Sequence, residues 1–215
     1  MAFSIYQALA KARPSLREGN KREEPDQISR ETRYVILVND MLNDFIHGKL
    51  KSARAAQIIP KISLLLKKAR QKDIPVFYCN DEHLPTDEYE LKLWGAHAMK
   101  GTKGARVIDE LKPASNDYIV PKRRYSSFDE TSLDSLLQNI NGGKGADAII
   151  MTGVHTHICI EHTAYDAFVR GYDIIVAEDG VQAFTAEDHL AGLDYMKLNY
   201  GAIIEPVSNI IKNIS

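Results

Sequence analysis

Five consecutive apolar residues, Tyr34-Val35-Ile36-Leu37-Val38, constrain this chain more than any other stretch. A strand with one wet face alternates apolar and polar side chains, so a run that is apolar throughout is buried on both faces. Strands of that kind belong to parallel sheets, whose crossover connections lay helices over both sides. Residues 55–72 supply such a helix, with Ile58, Ile59, Ile62, Leu65, Leu66 and Ala69 on one stripe. Residues 75–79 read as a second strand. A long irregular segment over 81–104 and a short helix over 106–111 precede a third strand at 117–121. The alternation then becomes regular: helix 132–140, strand 146–152, helix 161–170, strand 173–177, helix 185–200 and a last strand at 202–204. Thr185 and Asp188 stand in capping-box spacing at the start of the last helix. The pattern predicts a three-layer α/β/α fold with a mostly parallel central sheet and helices on both faces.

Residues 1–30 differ from the rest. Residues 3–12 suit a short amphipathic helix, but 14–29 are charged and poor in apolar side chains, as in an extended arm. The expected organisation is an N-terminal arm over 1–30 and one domain over 31–215. A chain of 215 residues, 44% hydrophobic and 26% charged, suits one such domain. Its net charge of -2 gives no electrostatic case for nucleic acid or an anionic membrane. No apolar run approaches the roughly 20 residues of a membrane span. The first residues lack the apolar core of a secretory signal, Arg13, Arg17, Lys21 and Arg22 being interleaved with acids. Cys79 and Cys159 each fall at a predicted strand end, which reads as two reduced thiols in a cytoplasmic protein.

In sheets of this type chemistry gathers beyond the carboxyl ends of the strands. The first strand ends in Asn39-Asp40, the second in Asn80-Asp81-Glu82-His83 and the third in Pro121-Lys122-Arg123-Arg124-Tyr125. The fourth runs into Gly153-Val154-His155-Thr156-His157-Ile158-Cys159, and the fifth into Glu178-Asp179. A carboxylate, a lysine and a thiol thus arrive from three strands. Each alone has a bland reading: Asp40 as a helix cap, Lys122 as a solvated charge, Cys159 as a small buried hydrophobe. Together they suit nucleophilic catalysis. A thiol at a strand-to-helix junction also meets the partial positive charge of the helix N-terminus.

These segments resemble the motifs of the isochorismatase-like cysteine hydrolases, a family that includes nicotinamidases and N-carbamoylsarcosine amidases. Val38 to Phe45 is similar to its first-strand motif, with Leu42 where the family commonly has Gln. Pro121 to Phe128, with Thr131 and Leu133, is similar to its lysine motif. Thr152 to Ile160, followed by Thr163 to Ala167, is similar to its nucleophile motif. The likeness covers about residues 33–205. It implies Asp40, Lys122 and Cys159 as a catalytic triad, a cis peptide at Val154–His155, and an oxyanion site at the backbone N–H groups of His155 and Cys159. It also implies a small-molecule amide or ureido substrate, cleaved through a thioester with release of ammonia, and assembly as a homodimer or homotetramer. The side chains of His155 and His157 are read as pocket lining and loop support.

Asp81, His83 and His97 form a donor set suited to one divalent metal, zinc, iron or manganese. The resemblance to nicotinamidases implies the same three ligands, with Asp87 where some members add a histidine. The alternative is that both imidazoles hydrogen-bond within the loop without metal. No organic cofactor is implied. Phe45, Trp94 and Tyr125 match the aromatic positions that sandwich a flat ring in nicotinamidases. Phe184 stands where N-carbamoylsarcosine amidases place an arginine for the substrate carboxylate, a role Arg123 or Arg124 would have to fill here. Two other functions compete: vinyl-ether hydrolysis of isochorismate, which needs no thiol, and a non-catalytic binding protein on the same fold.

Overall fold

The computed structural model describes residues 32–214, so the arm over 1–30 and its helix at 3–12 lie outside the described residues. Six parallel strands form one sheet: β1 (Tyr34–Asn39), β2 (Val76–Asp81), β3 (Tyr118–Lys122), β4 (Ala148–Val154), β5 (Asp173–Gln182) and β6 (Ile203–Glu205), in the order β3-β2-β1-β4-β5-β6. Among the described residues, eight helices surround it: α1 (Asn43–Ile46), α2 (Ala53–Gln57), α3 (Ile59–Gln71), α4 (Glu88–Trp94), α5 (Leu133–Gly143), α6 (Glu161–Val169), α7 (Ala186–Tyr200) and α8 (Val207–Asn213). No helix among the described residues is long and apolar enough to cross a membrane.

The continuous apolar run is used as its composition demands. Every residue of β1 is buried. Val35 and Leu37 join a core with Phe77, Val120, Ile149 and Met151, closed by Leu133 and Leu137 of α5, Ala164 and Ala167 of α6, and Leu193 and Met196 of α7. Ile36 and Val38 alternate to the opposite face. There α3 buries Ile62, Leu65, Leu66 and Ala69 and packs against α8. The edge strand β3 tolerates Pro121, since an edge residue need not donate to a second neighbour.

Several local expectations change. The single helix over 55–72 is two, α2 and α3, broken at Ile58. Pro60 sits in the first turn of α3, where a missing N–H costs nothing. The segment 81–104 is not wholly irregular, because it contains α4. The helix expected over 106–111 shrinks to one 3-10 turn, Asp109–Leu111. β5 runs past Ala177 to Gln182, so Glu178 and Asp179 lie within the strand rather than beyond its end. Thr185 caps α7 by accepting the Asp188 N–H at 3.0 Å, but the Asp188 carboxylate takes the Thr185 hydroxyl instead of completing a capping box.

Candidate active site

The site lies where β1 to β5 end. β1 terminates because Asp40 turns into the left-handed region, φ 55, a conformation aspartate tolerates better than most residues. That turn leaves the Asp40 side chain fully buried beside the ends of β2 and β3. Gly153 near the end of β4 has φ 106, and an added Cβ would stand 1.9 Å from the Asn39 carbonyl oxygen. Only glycine lets β4 pass this close to β1 before the chain reaches Cys159. The Val154–His155 peptide bond is cis. A π-helical turn, Thr156–Ile160, then carries Cys159 and leads into α6. The thiol therefore stands in this turn, just ahead of the α6 N-terminus.

Lys122 joins the three strand ends. Its Nζ lies 2.9 Å from Asp40 Oδ2, pairs with Asp81 Oδ1, donates to the Arg124 carbonyl at 3.1 Å and reaches Cys159 Sγ at 3.6 Å. Asp40 Oδ1 accepts the Asp81 backbone N–H at 2.7 Å. Asp40 Oδ2 touches Lys122 without an aligned hydrogen bond, so this oxygen keeps a free lone pair. The carboxylates of Asp40 and Asp81 and the Cys159 sulfur lie within 4.8 Å of one another. All four side chains are buried.

This arrangement separates the two carboxylates electrostatically. Burial and the charge of Asp81 push Asp40 up to about 6, against the opposing pull of Lys122. Burial also acts to raise Asp81, but Lys122 and His83 outweigh it and hold this carboxyl at about 2. One acid is thus poised to exchange protons near neutrality while its neighbour stays ionised, a division expected of a general acid–base beside a fixed charge. Burial raises the Cys159 thiol well above its usual range, with Lys122 opposing and Asp40 reinforcing. The resting thiol is protonated and needs a base. Cys79 is buried and pushed up to about 12, so the second thiol is inert.

A narrow cleft reaches Cys159, lined by Phe45, Leu50, Trp94, Tyr125, His155, Ile158 and Phe184 together with Asp81, Glu90 and His97. The Trp94 indole N–H donates to the Tyr125 hydroxyl at 2.9 Å, and its ring stacks on Phe184 at 5.8 Å. Neither Arg123 nor Arg124 lines the cleft. Arg123 forks onto Asp87, its Nε lying 2.9 Å and 3.1 Å from the two carboxylate oxygens, and Arg124 pairs with Glu130 at 3.4 Å. His157 also lies outside the lining residues.

Asp81, His83 and His97 come together, and a fourth donor joins them. Ligand atoms of Asp81, His83, Glu90 and His97 all lie within 4.8 Å of one another. His83 Nε2 is buried without a hydrogen-bond partner, 3.6 Å from Asp81 and 3.8 Å from Glu90. Its Nδ1 faces Asp87 Oδ2 at 3.3 Å, and His97 Nδ1 bonds the Gly95 carbonyl at 2.8 Å. Each ring is oriented through its far nitrogen, which is how metal-binding imidazoles are held. Burial and the charge of Asp81 raise Glu90 to about 7. Crowded acids, an orphaned Nε2 and oriented rings together fit a divalent ion. Asp87, in place of a histidine, thus orients His83 and anchors Arg123. Glu90 escaped the sequence reading because α4 did; its position four residues before Trp94 would have put both on one helix face.

A second feature was also unforeseen. Asn39 bonds the Thr152 carbonyl at 3.2 Å and accepts the Ser127 hydroxyl at 2.7 Å, and Ser127 in turn meets Thr163 at 3.0 Å and 3.2 Å. This buried network ties β1, the segment after β3, and α6 directly beneath the site. Leu42, the departure from the first-strand motif, is fully buried and bridges to Val107.

A parallel α/β sheet thus brings a buried acid, lysine and thiol together at its strand ends. The chain matches the isochorismatase domain over residues 34–206, and it belongs to that family of isochorismatase-like hydrolases. It is 38% identical to the N-carbamoylsarcosine amidase of Thermoplasma acidophilum, whose structure covers 82% of this chain and 97% of its own with a TM-score of 0.75. The pyrazinamidase of Pyrococcus horikoshii, solved in complex with zinc, is 26% identical over 81% of this chain and 99% of its own, with a TM-score of 0.73. Nicotinamidase 3 of Arabidopsis thaliana is 29% identical over 193 residues, 87% of this chain and 90% of its own. Enterobactin synthase component B of Escherichia coli is 29% identical over 176 residues, 80% of this chain, and the match spans 60% of its length.

Proposed function

We propose that this protein is a cysteine-dependent amidohydrolase that cleaves a small carboxamide or ureido compound through a thioester and releases ammonia. The observation that carries the reading is the position of Lys122 Nζ, in contact with both Asp40 and Cys159. Asp40 takes the Cys159 proton as the sulfur attacks the carbonyl carbon, and Lys122 stabilises the ion pair so formed. The backbone N–H groups of His155 and Cys159 receive the oxyanion. As the tetrahedral centre collapses, the C–N bond breaks and Asp40 returns its proton to the departing nitrogen. Asp40 then deprotonates a water that attacks the thioester, yielding the carboxylic acid and restoring the thiol.

Asp81, His83, Glu90 and His97 would hold the divalent metal. When bound, such an ion supplies Lewis-acid polarisation of a water or substrate heteroatom. Phe45, Trp94 and Phe184 give the cleft flat apolar walls, and Tyr125 fixes the indole of Trp94. They suit a planar amide, with nicotinamide the first candidate. A homodimer or homotetramer in the cytoplasm belongs to the same reading.

The test is ammonia release from a panel of amides, paired with iodoacetamide labelling. Cys159 should react faster than Cys79, with saturating substrate slowing it. No hydrolysis of any compound, with equal labelling of the two thiols, would leave a binding protein instead. The name of the family domain favours a second reading, vinyl-ether hydrolysis of isochorismate. It leaves Cys159 without a role, and the same panel extended to isochorismate separates the two.

A further inference from the structure

His155 lines the cleft with both ring nitrogens buried and without a hydrogen-bond partner. The residue is 3% exposed. The ring cannot turn freely, because it stacks on Phe184 at 3.8 Å and 26° and meets Phe45 edge-on at 5.8 Å. Burying polar atoms unpaired costs free energy, so a buried imidazole ordinarily finds a hydrogen-bond partner. In a cleft beside a nucleophile, that partner is the ligand. Burial also lowers the imidazole to about 3, so at neutral pH it offers one N–H and one lone pair but no charge.

The charges around the cleft point the same way. Lys122 is held by Asp40 and Asp81, Arg123 by Asp87 and Arg124 by Glu130. Phe184 presents a ring against His155, and the acids Asp81 and Glu90 face the same space. A carboxylate-bearing substrate would meet aromatic rings and no free side-chain cation among the described residues that line this cleft. We propose that the His155 imidazole is a specificity-determining group, recognising an uncharged carboxamide through a hydrogen-bonding heteroatom away from the scissile bond. This rests on the amidase reading and goes further, since it assigns the side chain a role separate from the backbone N–H of the same residue.

The test measures ammonia release by the full-length protein from the three pyridinecarboxamide isomers, from benzamide, which has the same shape without the ring nitrogen, and from anionic N-carbamoylglycine. His155→Phe keeps a flat ring and removes both nitrogens; His155→Gln keeps a donor and an acceptor. The wild type should favour at least one pyridine isomer over benzamide by about tenfold or more in kcat/KM, as for one polar contact in an apolar site. The Phe variant should bring that ratio to within about twofold, mainly through KM, and the Gln variant should retain part of it. An unchanged ratio in a folded Phe variant overturns the proposal. So does a wild type that turns over benzamide as well as every pyridine isomer, or that prefers N-carbamoylglycine. That last comparison uses the wild type alone and stands even if both variants fail to fold. No ammonia from any of the five compounds overturns the amidase reading itself, whereas ammonia without a role for His155 overturns only this inference.

Discussion

Asp81 donates its backbone N–H to Asp40 Oδ1 at 2.7 Å while its side chain lies among the atoms suited to a metal. One residue at the end of β2 therefore touches both Asp40 and the group of candidate metal donors. Lys122 reinforces the link, since it pairs with both acids. Anything that moves the end of β2 moves both.

Asp40→Asn removes the carboxylate proposed as base while leaving the size of the side chain unchanged. We expect kcat for ammonia release to fall about 10²- to 10⁴-fold, the usual worth of a positioned general base, with an unaltered circular dichroism spectrum. Activity within threefold of wild type would remove Asp40 from the chemistry.

The pH profile should show an acid limb. Asp40 must be ionised to accept the thiol proton, and burial with Asp81 nearby raises it to about 6. Its protonated form dominates below that pH, so kcat/KM should rise roughly tenfold per unit below about 6 and level off above it. A limb placed near 4 instead would mean that the base is a solvated carboxylate and not this one.

Metal affinity should depend on residues beyond the three donors expected from the sequence. Glu90→Gln should weaken zinc binding by chelator-dialysed protein, followed by competition with a coloured indicator. Asp87→Asn, which loosens the hold on His83 Nδ1, should weaken it about 10- to 100-fold. Equal affinity in wild type and both variants would reduce the site to Asp81, His83 and His97.

Gly153→Ala should destabilise the fold severely. The new Cβ meets the Asn39 carbonyl 1.9 Å away, and backbone on both sides must shift. A loss of about 3 kcal/mol or more is expected from the urea midpoint. Gly101→Ala is the control: it shares a positive φ but has nothing within 4 Å, so it should cost far less. Similar midpoints for the two would refute the close approach of β4 to β1.

Much of the architecture was legible because burial on both faces leaves an unmistakable mark. β1 and β4 read as continuous apolar runs, and α3 and α7 as long amphipathic or capped segments. Where burial is partial the sequence is quieter. No residue of α4 is buried, so its seven residues look like loop, and Glu90 went unseen with it. α8 spans seven residues, too few to establish a period. The extension of β5 to Gln182 was hidden by Glu178 and Asp179, which interrupt its apolar run while the strand continues through an irregular register with β4.

From the sequence alone came the parallel sheet, the strand ends that carry Asp40, Lys122 and Cys159, and the family those segments resemble, because each is a property of local pattern. Tertiary structure decided how the groups share their charge. Lys122 settles on two acids at once, so burial leaves Asp40 near 6 and Asp81 near 2. It also turned Asp87 into a support for His83, brought Glu90 beside Asp81, His83 and His97, tied up Arg123, and left the His155 ring buried without a hydrogen-bond partner. Those outcomes depend on distances across strands and on exclusion of water, which no stretch of sequence records.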